Sequence, residues 1–195
     1  MKILVATKNP SKLKEMREFL GGGFELISLA DLPGAPEVEE TGSTFRENAL
    51  LKARAYFEWS GLPTIADDGG LEIDFLNGEP GVVSRRWPGY EATDQELIDM
   101  ALEKLKGVSR EKRTAHLTTV GAFYDGQHEL SEIASIDGYI TEEQLVDCNP
   151  GYPFRAIFWI PEKKCLYQHL TPEEHEEVNH RKVVYGRLGE RIRNT

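Results

Sequence analysis

The sequence predicts an α/β domain, and three observations carry that reading. Residues 2–6 form a short apolar run, followed by the polar loop Thr7-Lys8-Asn9-Pro10-Ser11-Lys12 and a helical pattern that turns Leu13, Met16, Phe19 and Leu20 inward, a strand–loop–helix unit. A second helical stretch, capped by Ser43 or Thr44 and running to about Trp59, leads into the apolar run Thr64-Ile65-Ala66. Asp125-Gly126 joins two strand-like stretches, 114–124 and 129–136, as a hairpin. At 195 residues the chain suffices for one domain over 1–195 with a sizeable core, or for two lobes sharing a continuous sheet.

Composition narrows the partners. With 23 basic against 33 acidic residues the formal charge is −10, which argues against duplex nucleic acid or an anionic membrane surface, and an anionic substrate then needs a local basic pocket. No apolar run approaches the roughly 20 residues of a membrane span, and Met1-Lys2-Ile3-Leu4-Val5 enters a strand pattern with no secretory apolar region, so a cytoplasmic location is expected. Cys148 and Cys165 are too few for a disulfide framework and lack metal-ligand spacing.

In order along the chain, the first helix opens with Ser11 and two lysines and ends at Gly21-Gly22-Gly23; its N-terminus suits a phosphate held by Thr7, Asn9 and Lys12, or is an ordinary capped end with solvated lysines. Residues 24–29 read as a second strand and 33–38 as a loop. In the helix after Thr44, Phe45, Ala49, Lys52 and Tyr56 share one stripe; Lys52 either reaches past the stripe to water or enters a cleft as a second phosphate contact.

Residues 63–74 are where the chemistry is expected. Asp67-Asp68-Gly69-Gly70 follows a buried strand as a turn, and carboxylates at a strand end face a crevice. Side chains alternate along a strand, so the two aspartates cannot aim at one atom while strand geometry lasts; one is catalytic and the other supports it. Residues 71–75 alternate as a strand, Arg85-Arg86 beside Trp87 is an anion clamp or a surface feature, and Thr93-Asp94-Gln95-Glu96 caps an amphipathic helix over 94–105. The last third holds a strand over 154–160, a short helix opened by Thr171-Pro172-Glu173-Glu174, and a final helix from His180-Arg181.

Five groups of residues, in one order, resemble the inosine triphosphate pyrophosphatase family: 7–12; Glu39-Glu40-Thr41-Gly42 with Phe45, Glu47-Asn48-Ala49 and Lys52-Ala53; Ile65-Ala66-Asp67-Asp68; Pro80-Gly81 with Ser84 and Arg86; and His180-Arg181. The resemblance implies an elongated mixed β-sheet flanked by helices, two lobes around a central cleft, and a homodimer. It implies Mg²⁺-dependent hydrolysis of a non-standard purine nucleoside triphosphate, of the inosine or xanthosine type, to the monophosphate and pyrophosphate. Carried over by position, Thr7, Asn9, Lys12 and Lys52 match phosphate contacts, Glu40 and Asp68 the metal carboxylates, and Asp68 also the general base. Asp67, Gly69, Asn48 and Arg86 are supporting positions, and Tyr152, Phe154, Arg155, His175, His180 and Arg181 fall where the family binds the base.

The residue types suit that chemistry. Hydrolysis at phosphorus needs charge neutralisation and an aligned water, which a hard cation on carboxylates, lysine ammonium groups and a nearby carboxylate base together provide. The departures lie elsewhere. Gly69 stands where the family has serine. The family's Phe-Gly-Tyr-Asp segment becomes 152–156 when aligned back from Pro161, and aligning on Gly151-Tyr152 puts Pro153 at the acidic position, so neither register keeps a carboxylate; a family lysine is replaced by His175. Tyr152 still offers a face for stacking. The residues therefore leave two alternatives to the inosine-type reading, a pyrophosphohydrolase of different base specificity and a non-catalytic nucleotide-binding relative.

Overall fold

The structure, a computed structural model, describes residues 1–195 with the side chain of Ser11 excepted, so the capping role expected of Ser11 falls outside the described residues. Among the described residues one mixed sheet runs in the order β2-β1-β3-β4-β5-β6-β7. Its strands are β1 (Lys2–Val5), β2 (Glu25–Ser28), β3 (Thr64–Ile73), β4 (Thr114–Tyr124), β5 (Glu129–Ile140), β6 (Phe158–Ile160) and β7 (Cys165–Leu166). The helices are α1 (Pro10–Phe19), α2 (Phe45–Ser60), α3 (Asp94–Lys104), α4 (Pro172–Val178) and α5 (His180–Arg193). β1 pairs parallel with β2 and with β3, the latter through Leu4 opposite Thr64 and Val5 opposite Ile65, while β5, β6 and β7 pair antiparallel. No helix is long and apolar enough to cross a membrane.

The chain divides into two compact units, one of residues 1–69, 119–134 and 180–195, the other of 70–118 and 135–179. In the first, Ile3, Leu4 and Val5 are fully buried, as expected of a parallel strand with neighbours on both edges and an unbroken apolar run. Met16 and Leu20 of the α1 segment meet Val184, Tyr185, Leu188 and Ile192 of α5. A Cβ at Gly189 would lie 2.1 Å from the Leu20 carbonyl oxygen, so only glycine lets α5 come this close to the end of α1. The second unit has its own core, with Leu97, Ile98 and Ala101 of α3 packed among Ile140, Phe154, Ile157 and Phe158.

The sequence expectation fails most informatively at 67–70. β3 does not stop at Ala66 and turn; it continues through both aspartates and both glycines to Ile73. Pairing with β4 along this stretch overrides the turn preference of Asp and Gly, and Leu71 and Ile73, expected in a separate strand, are fully buried in the same one. The strand expected over 154–160 also divides. Pro153, with fixed φ and no N–H, opens a 3₁₀ turn over Pro153–Ala156, and only Phe158–Ile160 is extended. The two-residue β7 carries no periodicity to read and was not anticipated.

Candidate active site

Because β3 stays extended through Asp67 and Asp68, their side chains leave it on opposite faces, and each meets a different lysine. Asp67 is buried at 2% exposure, with its Oδ2 2.8 Å from Lys12 Nζ. The Tyr185 hydroxyl donates to the same oxygen at 3.3 Å. Burial alone would push the Asp67 carboxyl up, but Lys12, Arg181 and Lys52 outweigh it and hold it at about 2. Arg181 in turn donates to Glu15 Oε2 at 2.7 Å, and its guanidinium is pinned in the charged form despite burial. Asp67 is thus an ionised anchor for Lys12.

On the other face Asp68 and Glu40 share one cation. Lys52 Nζ donates to Glu40 Oε1 and stands 3.9 Å from Asp68 Oδ1, which also accepts the Gly69 N–H at 2.9 Å. The backbone of Gly69 therefore supports Asp68 with no need of a side chain at that position. Burial raises the Asp68 carboxyl to about 6, helped by the charge of Glu40 and opposed by Lys52. For Lys52, burial works against the ammonium, but Asp68, Asp67 and Glu40 prevail and hold its pKa above the ordinary value. Lys52 does not reach past the stripe to water: its side chain is 14% exposed and paired with Glu40.

Glu40 lies in an irregular segment that needs a local support, and α2 provides it. Thr44 caps the helix by accepting the Glu47 N–H at 3.1 Å, and Glu47 returns to accept from the Ser43 N–H and hydroxyl, each at 2.7 Å. Asn48, 1% exposed, accepts the Gly42 N–H at 2.7 Å, tying the chain two residues after Glu40 to the first turn of α2. A Cβ at Gly42 would lie 2.6 Å from that Asn48 oxygen, so the close approach requires glycine. Asn48, carried over only as a supporting position, is therefore the anchor of the Glu40 segment.

The residues present fit a hard divalent cation. Asp68 Oδ2 is buried and has no hydrogen-bond partner among the described residues, and a carboxylate oxygen left so is costly unless a cation satisfies it. Among the described residues no group of three or more His, Cys, Asp or Glu side chains is arranged to hold an ion. Two carboxylates suit an ion such as Mg²⁺, which keeps several waters and takes its other ligands from substrate phosphates.

The phosphate candidates begin at the end of β1. Thr7 is 9% exposed and its Oγ1 accepts the Asn9 N–H at 3.1 Å, folding the loop so that the Asn9 carbonyl starts α1 by accepting the Leu13 N–H. Lys12 follows in the first turn of α1, where the helix dipole also favours an anion. Thr7, Asn9, Lys12, Glu40, Lys52, Asp67 and Asp68 all belong to the first unit.

The base candidates divide. His180 and Arg181 begin α5 in the first unit, where Arg181 serves the Glu15–Asp67 network. In the second unit, the Arg155 guanidinium lies 3.9 Å from the Tyr152 ring centroid and 4.8 Å from that of Tyr167, whose hydroxyl is 2.9 Å from His175 Nε2. Phe154, the remaining candidate of this segment, is 7% exposed and packed in the second core. Of the arginine pair, Arg85 is engaged with Asp94 and the Ala92 carbonyl, while Arg86 is exposed. Tyr185 and Glu15 were missed by sequence reasoning. The signal available was helical spacing, since Tyr185 falls four residues after Arg181 and Glu15 three after Lys12.

The chain is similar to known proteins over nearly its whole length. The profile of the Ham1 family matches residues 3–189. A dITP/XTP pyrophosphatase of Geobacillus kaustophilus is 40% identical over 190 residues, covering 96% of this chain and 92% of that protein. The dITP/XTP pyrophosphatase of Bacillus subtilis is 38% identical over 180 residues, covering 91% and 90%. A HAM1 protein from Coxiella burnetii has the same fold with a TM-score of 0.89 at 35% identity, over the whole of both chains. With its fold and residues 3–189 matched, the chain belongs to the Ham1 family.

Proposed function

We propose that this chain is a nucleoside triphosphate pyrophosphatase that hydrolyses non-standard purine nucleotides, of the inosine or xanthosine type, to the monophosphate and pyrophosphate. The observation that carries the reading is the Glu40–Lys52–Asp68 cluster with the buried, unpartnered Oδ2 of Asp68. The names of the relatives support it. The cation is Mg²⁺, held by Glu40 and Asp68, and when bound it neutralises charge on the triphosphate. We further assign the protein to the cytoplasm and to a homodimer.

The chain's own residues then have separate tasks. Lys12 and Lys52 supply fixed positive charge for phosphate oxygens, with the Thr7 hydroxyl and Asn9 as neutral contacts. Burial raises the Asp68 carboxyl to about 6 before a cation binds; the cation keeps it ionised, and it is the proton acceptor for the attacking water. Asp67 takes no proton; at about 2 it is a spectator charge. The test is pyrophosphate release from a panel of common and deaminated nucleoside triphosphates, with and without Mg²⁺. Release confined to deaminated purines with the ion present is expected, and full turnover in chelator would overturn the metal assignment.

A further inference from the structure

The buried hydroxyl of Tyr185 has no part in the proposed chemistry, yet it meets the carboxylate that holds a phosphate lysine. Tyr185 is fully buried on α5, and its oxygen lies 3.3 Å from Asp67 Oδ2, the oxygen that also binds Lys12 Nζ at 2.8 Å. Its ring packs in the core with Val184 and Leu188, so packing accounts for the ring and leaves the oxygen unexplained. A tyrosine hydroxyl taken from water into such a place costs free energy unless it is used. We infer that Tyr185 is a positioning residue that acts through Asp67 to set how tightly Lys12 is held, and therefore how readily Lys12 serves the triphosphate.

The physical argument is competition. Lys12 has three N–H donors and is 24% exposed, so Asp67 and an incoming phosphate draw on the same ammonium. By donating to Asp67 Oδ2, Tyr185 takes part of the negative charge that Lys12 faces and fixes the carboxylate's rotation. Arg181 adds charge from the α5 side, balanced by Glu15. Without the hydroxyl, Asp67 leans wholly on its cations, Lys12 is drawn inward, and its share in binding phosphate falls. The effect carries no base information, because a phosphate contact reads none.

This inference rests on Lys12 being a phosphate ligand, and the experiment separates the two. Tyr185→Phe removes one oxygen and keeps the ring. Binding of inorganic tripolyphosphate with Mg²⁺, measured by calorimetry, reads the phosphate site without turnover, and kcat and KM are measured alongside. We expect Tyr185→Phe to weaken tripolyphosphate binding and to raise KM for every nucleotide by one common factor of about tenfold, part of the value of a hydrogen bond to a charged group, with kcat within about twofold. In a Lys12→Ala background the same change should have no further effect on either binding constant. If Tyr185→Phe does not fold, Tyr185→Met, a smaller and adaptable apolar side chain without a hydroxyl, carries the same expectation. A lowered melting temperature with unaltered KM and tripolyphosphate affinity makes the hydroxyl merely structural and overturns the inference alone. Tripolyphosphate binding that is strong in the natural protein and indifferent to Lys12→Ala overturns the placement of Lys12, and the inference with it.

Discussion

Two adjacent aspartates with opposite environments should respond oppositely to the same substitution. Asp68→Asn removes a carboxylate from the cation pair and the proton acceptor together, and turnover should fall by at least about 100-fold while the circular dichroism spectrum is kept. Asp67→Asn instead leaves Lys12 and Arg181 facing a neutral group in a buried setting. Breaking such a pair costs about 3–5 kcal/mol when both members are deeply buried; with Lys12 partly exposed about 2 kcal/mol is expected, read as a lowered urea midpoint. Loss of turnover from Asp68→Asn matched by equal loss of stability would contradict the division of tasks. At the base positions, Arg155→Ala and His175→Ala should each change the ratio of kcat/KM for inosine over adenosine triphosphate, since a polar contact discriminates more than stacking on Tyr152. A ratio unmoved by both would make the array of Tyr152, Arg155, Tyr167 and His175 structural.

At the scale of elements, Gly42 is the most exposed to test. Its missing Cβ lets Asn48 reach the chain beside Glu40, so Gly42→Ala forces the loop off α2. We expect a cost of about 1–3 kcal/mol in stability from the overlap, and about a tenfold rise in the Mg²⁺ concentration for half-maximal turnover as Glu40 loses its support. The elements that sequence made legible were those whose signals are local. The cap at Thr44, the capping boxes at Thr93 and Thr171, and the apolar stripe of α1 all depend on residues within a turn of one another. What was not legible depended on distant neighbours: β3 carried through Asp67–Gly70 by pairing with β4, and β6 shortened behind the Pro153 turn. The site was legible in the same uneven way. Glu40, Lys52 and Asp68 were identified by motif, whereas the pairing of Lys12 with Asp67, the hydroxyl of Tyr185 and the burial of Phe154 exist only once segments far apart in sequence meet.

For the whole molecule the two aspartates make stability depend on pH in opposite senses. Asp67, depressed to about 2, contributes stability above its unfolded value of 3.8 that is lost as pH falls toward 2. Asp68 is raised from 3.8 to about 6, so between those values the folded state holds the extra proton and stability declines as pH rises, by about 3 kcal/mol once both states are ionised. A cation on Asp68 relieves that penalty. Added Mg²⁺ should therefore raise the melting temperature clearly at pH 7.5 and little at pH 5, and Asp68→Asn should abolish the difference. A shift of equal size at both pH values would place the cation elsewhere.

The strand that carries both acids also limits how this chain can change in length. A slip of β3 by one residue against β1, from its pairing of Leu4 with Thr64 and Val5 with Ile65, would turn every side chain to the other face, Asp67 to the face that now carries Asp68 and Asp68 to the face that now carries Asp67. Insertions or deletions just before Thr64 are therefore tolerated only where the preceding turn absorbs them or where they come in pairs, so β3 is read with a parity, as a gene is read with a frame.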